Sequence, residues 1–442
     1  MRTKMKRLYF PNDFLIGCAT SSYQVEGALH EDGRESCIWD SFSRKSDKVY
    51  QNQNGEIADD QYHLYEEDID LMSRLGFKSY RFSIAWPRII SYGKINSLGL
   101  EHYKRLCREL HKKGMKAMAT LYHWDLPQSL EDKGGWLERN TAYEFARYAK
   151  VCFEYLADDV DMWITLNEPF CSAYLGYGNG IHAPGLLGGN EIAAHHLNLA
   201  HGLAVSEYRK LGLKAPIGIS LNPSIPKPST QSMKDVYAAK IACAFQTDIY
   251  LDPLISGEYP KLLTTELGLK FLIEPDDMAL IRQKIDFIGI NYYSEHVVSF
   301  DEKAELRFRE EPTWQEETNL QWPVVPFGLL RTLQYFAKKT GNTPLYITEN
   351  GAAYDDVLAE GRVHDKKRCD YYAQHLEICN QAIEEGINLK GYFAWSFLDN
   401  YEWTYGYTKR FGIVYVDFKT QKRYPKDSAY MFRDFNNNYI EY

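Results

Sequence analysis

The sequence predicts an α/β protein: a closed (β/α)₈ barrel, or TIM barrel, built as a single domain over residues 1–442 with long βα loops forming its mouth. Three observations point there. Eight short, nearly continuous apolar runs are each followed by a longer amphipathic segment, the pattern of strands buried on both faces alternating with surface helices. No shift in composition, internal repeat or low-complexity stretch marks a second unit, and a barrel of this kind absorbs more than about 400 residues through insertions. A doubly wound open sheet would also alternate in this way, but no G-x-G-x-x-G follows the first strand.

In chain order the strands are expected at 14–19, 78–84, 116–121, 162–166, 216–221, 287–291, 344–348 and 391–396. Ahead of the second, Glu66, Glu67, Asp68 and Asp70 read as a solvated helix face. Between the second and third, Tyr103, Leu106, Cys107 and Leu110 repeat at helical spacing and Gly114 supplies the stop. Between the third and fourth, Ala142, Phe145, Ala146, Ala149, Cys152, Phe153 and Leu156 form an apolar helix face, with Thr141 and Glu144 as a capping box. Gly176-Tyr177-Gly178-Asn179-Gly180 lacks dinucleotide-binding spacing and reads as a loop. The polar stretch 299–321 reads as a long loop over the barrel mouth.

Two strand ends carry the chemistry. Thr165-Leu166-Asn167-Glu168-Pro169 closes the fourth strand and Ile347-Thr348-Glu349-Asn350-Gly351 the seventh. In such a barrel the C-terminal strand ends face one active-site mouth, so Glu168 and Glu349 are expected to meet there. Pro169 cannot donate to a ladder and suits the point where a strand stops. A lone strand-end glutamate is more often a loop anchor, whereas a pair delivered to one pocket is the equipment for cleaving a glycosidic bond. The aromatic content of 14%, with 34 Tyr and 9 Trp, suits either a sugar site or a large core.

The net charge of −9, without a dense Lys/Arg stripe, argues against a nucleic-acid partner. No run approaches the roughly 18 apolar residues of a spanning helix, so no membrane partner is expected. Lys4-Met5-Lys6-Arg7 is followed by Phe10-Pro11-Asn12-Asp13 rather than by an apolar stretch, so no signal peptide is expected. The eight cysteines have no C-x-x-C spacing, which predicts a reduced, cytoplasmic protein with no cofactor and no metal. His195, His196 and His201 lack the H-E-x-x-H arrangement of a zinc enzyme and read as ordinary helix histidines. Cys171 lies near Glu168 without a base beside it in sequence and makes a weak nucleophile. The pattern leaves the oligomeric state open.

Three motifs in order, Tyr122-His123-Trp124-Asp125-Leu126-Pro127, 165–169 and 347–351, resemble those of glycoside hydrolase family one, bacterial β-glucosidase type. The likeness runs from Phe10 to about Asp417. It implies a retaining, two-step mechanism with Glu349 as nucleophile and Glu168 as acid/base, a carboxyl separation of roughly 5–5.5 Å, and a small β-glycoside as substrate. It implies that Arg81 and Tyr293 hold Glu349 ionised and that Asn167 bonds the sugar 2-hydroxyl. Asn167 and Glu168 are adjacent and would face opposite ways on a regular strand, so an irregular strand end is expected. The resemblance also implies a sugar pocket of Gln24, His123, Trp124, Asn291, Tyr293, Trp322, Glu402 and Trp403, with Trp395 as its stacking floor and Phe411 near the 6-position. The 6-phosphoglycosidase branch has serine in place of Glu402 and tyrosine in place of Phe411, so this chain follows the unphosphorylated pattern. It departs from the family at Ile16, usually Trp, and at Glu35-Ser36-Cys37, usually a small Pro-containing turn. The expected activity is exo-acting hydrolysis of terminal β-glucosyl residues from cellobiose, short oligosaccharides and aryl or alkyl glucosides, placing the protein in cellulose degradation. Three other readings are a 6-phospho-β-glucosidase, a broad β-galactosidase or β-fucosidase, and a non-catalytic sugar-binding protein.

Overall fold

The computed structural model describes residues 8–438, 440 and 441; the basic Lys4-Met5-Lys6-Arg7 lies outside them. Eight parallel strands close into a barrel in which each pairs with the next in sequence and the last with the first. They are β1 (Leu15–Ala19), β2 (Ser79–Ser83), β3 (Lys116–Tyr122), β4 (Met162–Asn167), β5 (Ile217–Leu221), β6 (Phe287–Asn291), β7 (Leu345–Asn350) and β8 (Leu389–Trp395). All eight coincide with the apolar runs. Around them lie α1 (Gln61–Arg74), α2 (Ser97–Lys112), α3 (Asn140–Leu156), α4 (Asn190–Lys210), α5 (Met233–Cys243), α6 (Pro326–Thr340), α7 (Lys366–Glu384) and α8 (Asp427–Asn438). Helix α2 ends as expected, with Gly114 at φ 71° in the left-handed region that glycine adopts without strain.

The barrel interior is layered. Leu15, Met118, Met162, Ile164, Phe287 and Phe393 form an apolar plug separate from the main core. Gly17 makes room for it: a Cβ there would lie 2.4 Å from the Phe393 ring. Above the plug a polar layer begins, in which Ser220 Oγ donates to Thr348 Oγ1 at 2.9 Å and Arg81 Nε to Thr120 Oγ1 at 3.3 Å. At the same height the pairing slips, between Ile164 and Asn167 on β4, Ile290 and Asn291 on β6, and Ile347 and Asn350 on β7. The irregular end expected of β4 is one case of this general loosening at the C-terminal rim. Ile16, the departure noted in the first strand, packs buried into the main core.

Four expectations need correction. Helix α3 starts at Asn140, and Thr141 Oγ1 donates to Gly135 O at 2.5 Å rather than closing a box with Glu144; the tight turn Gly135–Leu137 brings that carbonyl within reach. Of the loop expected at 176–180, Gly176–Gly178 closes a π-helix over Cys171–Gly178, and only Asn179 and Gly180 lie beyond it. Its glycine at 176 permits close packing, since a Cβ there would sit 2.7 Å from Ala183 O. Part of 299–321 is ordered as a ribbon: Val297–Phe300 pairs antiparallel with Phe308–Glu311 and parallel with Lys227–Pro228. Val298 buries against Ala239 and Ala242 of α5, and this apolar anchor lies just ahead of the polar stretch. Asp68 is buried rather than solvated and accepts from Arg423 Nε at 2.9 Å, because Lys422–Pro425 packs its arginine onto α1. The helix histidines are buried: His195 bonds Tyr259 and Asp277, and His201 bonds Thr165.

Beyond β8 a buried ion network fastens the returning chain. Lys426 Nζ donates to Asp356 Oδ2 at 2.5 Å and Asp399 Oδ1 at 2.7 Å. Arg368 of α7 binds Asp356 and Asp365, while Asp399 also takes Arg410 Nη1 at 2.6 Å and Gly412 N at 2.9 Å. The segment between Asp399 and Gly412 is thereby pinned at both ends. Removing one member of such a network leaves a buried uncompensated charge. Lys426→Met should therefore cost about 3–5 kcal/mol, read as a lower midpoint in chemical denaturation. An unchanged midpoint would contradict the assigned network.

Candidate active site

Glu168 sits just past β4 with φ 48°, a left-handed conformation that non-glycine residues rarely adopt. Its N–H donates to Ser220 O at 2.9 Å, which turns the chain so that Glu168 and Asn167 both serve the same rim. Its Oε1 accepts from Asn291 Nδ2 at 2.6 Å and its Oε2 from the Cys171 thiol at 3.0 Å. Glu349 is held differently. Its Oε1 accepts from Arg81 Nη1 at 2.5 Å and its Oε2 from the Tyr293 hydroxyl at 2.6 Å. Both carboxyls are buried, at 6% and 2% exposure.

These surroundings separate two chemically identical groups. Burial, then the charge of Glu349, pushes the Glu168 carboxyl up to about 7. Burial also pushes Glu349 upward, but the Arg81 guanidinium and the Tyr293 hydroxyl oppose it, so Glu349 is the first of the pair to ionise. At neutral pH the arrangement offers one carboxylate and one carboxylic acid in the same cavity, able to act as nucleophile and proton donor.

The other predicted residues divide by depth. Glu168 and Glu349 open on a cavity of about 370 Å³. His123, Trp124, Asn291, Tyr293, Trp322, Trp395, Glu402, Trp403 and Phe411 also line it. Arg81, Asn167 and Gln24 stand behind the wall. Asn167 Oδ1 accepts from Arg81 Nη2 at 2.6 Å and Asn291 Nδ2 at 2.9 Å, and its amide donates to His123 Nε2 at 3.1 Å. Burial, and secondarily Arg81, holds His123 well below the usual histidine range and therefore neutral. Gln24 donates to Asn400 Oδ1, Tyr401 O and, at 3.5 Å, Glu402 Oε2.

The wall itself is aromatic. Trp124 lies 4.5 Å from Trp403, and His123 stacks beside Trp395 at 5.7 Å. Tyr293, Trp322 and Phe411 pack together at 5.4–6.2 Å. Trp124 and Trp403, like Glu168, have positive φ, of 77° and 51°. Glu402 lies among these rings with its carboxyl pushed up to about 8 by burial and by the charges of Glu349 and Glu168.

Sequence reasoning missed the outer half of the cavity. Leu175, His182, Asn222, Gln246, His296 and Leu320 line it. Asn222 directly follows β5, a position that the strand-end rule could have flagged. Among the described residues no cluster of three His, Cys, Asp or Glu is spaced to hold a metal ion.

A closed (β/α)₈ barrel whose rim presents two unequally tuned carboxyls inside an aromatic, sugar-sized cavity defines a glycoside hydrolase. The chain matches Glycosyl hydrolase family 1 over residues 6–440, and it belongs to that family. It is 43% identical to the β-glucosidase A of Acetivibrio thermocellus over 441 residues, 97% of this chain and 98% of that one. Among solved structures it is similar to the family 1 β-glucosidase of Thermotoga maritima, with TM-score 0.95 and 43% identity over 99% and 100% of the two chains. It is also similar to virulence factor SghA of Agrobacterium tumefaciens in complex with its substrate analogue salicin, with TM-score 0.95, 41% identity and coverage of 97% and 96%.

The electrostatic coupling is directly measurable. Glu349→Gln removes the charge that opposes ionisation of Glu168, so the Glu168 pKa should fall from about 7 by about one unit. Carbon-13 NMR of labelled glutamate carboxyls reads it, and an unmoved titration would contradict the coupling.

Proposed function

We propose that the protein is a retaining, exo-acting β-glucosidase that releases terminal β-glucosyl residues from cellobiose, short oligosaccharides and aryl or alkyl glucosides. The observation that carries this reading is the unequal pair itself: Glu349 bonded by Arg81 and Tyr293, Glu168 buried without a cation of its own. In this mechanism ionised Glu349 attacks the anomeric carbon while Glu168 protonates the leaving oxygen. The glycosyl ester then abolishes the charge on Glu349, and the same electrostatics that kept Glu168 protonated now let it ionise and activate water. Relatives named β-glucosidase support the glucoside specificity, and the salicin complex of a relative supports an aryl glucoside among the substrates.

Gln24, His123, Trp124, Glu402 and Trp403 form the glycone end in this reading, with Trp395 beneath the ring, Phe411 near the 6-position, Asn167 and Asn291 near the 2-hydroxyl, and Trp322 further out. A 6-phosphoglycoside is disfavoured for two reasons. Glu402 offers no counter-charge in either protonation state, and no Lys or Arg lines the cavity. We further place the protein, as a single catalytic domain, in the cytoplasm, acting on disaccharides from cellulose breakdown. Seven of its eight cysteines are buried free thiols, which supports a reducing compartment. No helix among the described residues is long and apolar enough to cross a membrane.

Three measurements test the proposal. A 2-deoxy-2-fluoroglucoside with a good leaving group should accumulate a covalent adduct on Glu349, and a label on any other residue overturns the mechanism. Glu168→Ala should slow alkyl glucosides by about 10²–10⁴ while sparing the first step for an activated phenol; equal losses would remove Glu168 from the acid role. Comparing kcat/KM for p-nitrophenyl glucoside, galactoside, fucoside and 6-phosphoglucoside should rank the phosphorylated sugar last, and any other order at that end defeats the specificity argument.

A further inference from the structure

The surroundings of Glu168 contain a group that the two-carboxylate scheme does not use. Cys171 opens the π-helical turn three residues beyond Glu168, is 7% exposed and points its sulfur at Glu168 Oε2, 3.0 Å away. From the far side of the rim Asn222 Nδ2 donates to the same sulfur at 3.3 Å. An amide N–H directed at the sulfur occupies a lone pair there, so the thiol hydrogen is left to point away from Asn222 and toward the carboxyl. The two oxygens of Glu168 are therefore not equivalent. Oε1 already accepts from the Asn291 amide, and an amide nitrogen cannot accept in return. Each oxygen of Glu168 thus receives one donor, and a proton added to either must share that oxygen with a hydrogen already directed at it. The S–H bond is stronger to the carboxylate than to the neutral acid and so favours the ionised form.

We propose that Cys171, oriented by Asn222, is a positioning residue for the acid/base, its S–H favouring the carboxylate form of Glu168 and directing that carboxylate during attack by water. This rests on the acid/base reading of Glu168. Cys171 acts as a donor and not as a nucleophile, since burial and the neighbouring Glu168 keep it a thiol. The other groups facing Glu168 are Glu349 on β7, Arg81 on β2, neutral His123 after β3, Tyr293 after β6, Glu402 beyond β8, and His296 at the mouth. His182, kept neutral by burial, lines the same cavity; the hydrogen bond to Oε2 comes from the thiol, so its contribution is separable from theirs.

The test is the pH profile of kcat/KM for an alkyl β-glucoside, whose alkaline limb reports ionisation of Glu168 in the free enzyme. A donor to the carboxylate holds that limb down. Cys171→Ala should therefore move it up by about half a unit to one unit, Cys171→Ser should restore it toward the parent position, and Asn222→Leu should move it in the same direction as Cys171→Ala. A residue that only packs would lower the rate or the denaturation midpoint without displacing the limb. If Cys171→Ala does not fold, the Cys171→Ser and Asn222→Leu pair decides. A limb fixed in all folded variants, with Glu168→Ala still selectively impaired on alkyl glucosides, overturns this proposal alone. Loss of that selectivity overturns the acid/base reading beneath it.

Discussion

One buried cation stands among three buried carboxyls and is bonded to only one of them. Arg81, itself 1% exposed, donates to Glu349 Oε1, Asn167 Oδ1, Thr348 O and Thr120 Oγ1, so its planar fork joins four strands of the barrel at the height where the apolar plug gives way to polar side chains. In a cavity of low dielectric, charge that is not matched locally is expelled or protonated. The guanidinium is spent on Glu349, and Glu168 and Glu402 are driven upward instead. The division of labour among chemically identical groups thus follows from where a single cation was placed.

The barrel scaffold and the rim do different jobs. Below the polar layer the pairing is regular apart from one slip between Leu345 and Tyr346 on β7, and Gly17 leaves room for the Phe393 ring in the interior. Above it the registers slip on β4, β6 and β7, and adjacent side chains that a regular strand would send to opposite faces converge on one cavity. The wall beyond β8 is secured from behind by Lys426, Asp399, Arg410 and Arg368, none of which lines the cavity, so the segment that carries Glu402, Trp403 and Phe411 is anchored by charge as well as by the Leu398–Val414 bridge.

Much of this was legible in the sequence. Unbroken apolar runs mark strands buried on both faces, and the rule that strand ends share one mouth brought Glu168 and Glu349 together from opposite halves of the chain. The irregular end of β4 followed from the demand that neighbouring residues both reach the site. What escaped has a common cause. The Cys171–Asn222 contact spans 51 positions and joins residue types with no motif. The members of the Lys426 network, like Asp68, look in sequence like ordinary surface charges, because burial of a charge is a property of packing and not of local pattern. The ribbon at 297–311 was hidden because its apolar anchor is short, and the π-turn because its glycines have the appearance of a loop.

Three residues of the cavity wall, Trp124, Glu168 and Trp403, hold left-handed backbone without being glycine. Each such conformation is less stable than its relaxed alternative by about 1 kcal/mol or more, and glycine would relieve it. For Trp124 and Trp403 the strain is outweighed by burial of their rings against each other and their neighbours, but for Glu168, a buried carboxyl without a cation of its own, selection for thermal robustness alone would favour a residue lacking that side chain. The fold carries its function as a standing opposition to its own stability, and the surplus that offsets it lies in the plug and the main core. Variants with a stronger scaffold are, on this view, the backgrounds in which the rim can be varied most freely.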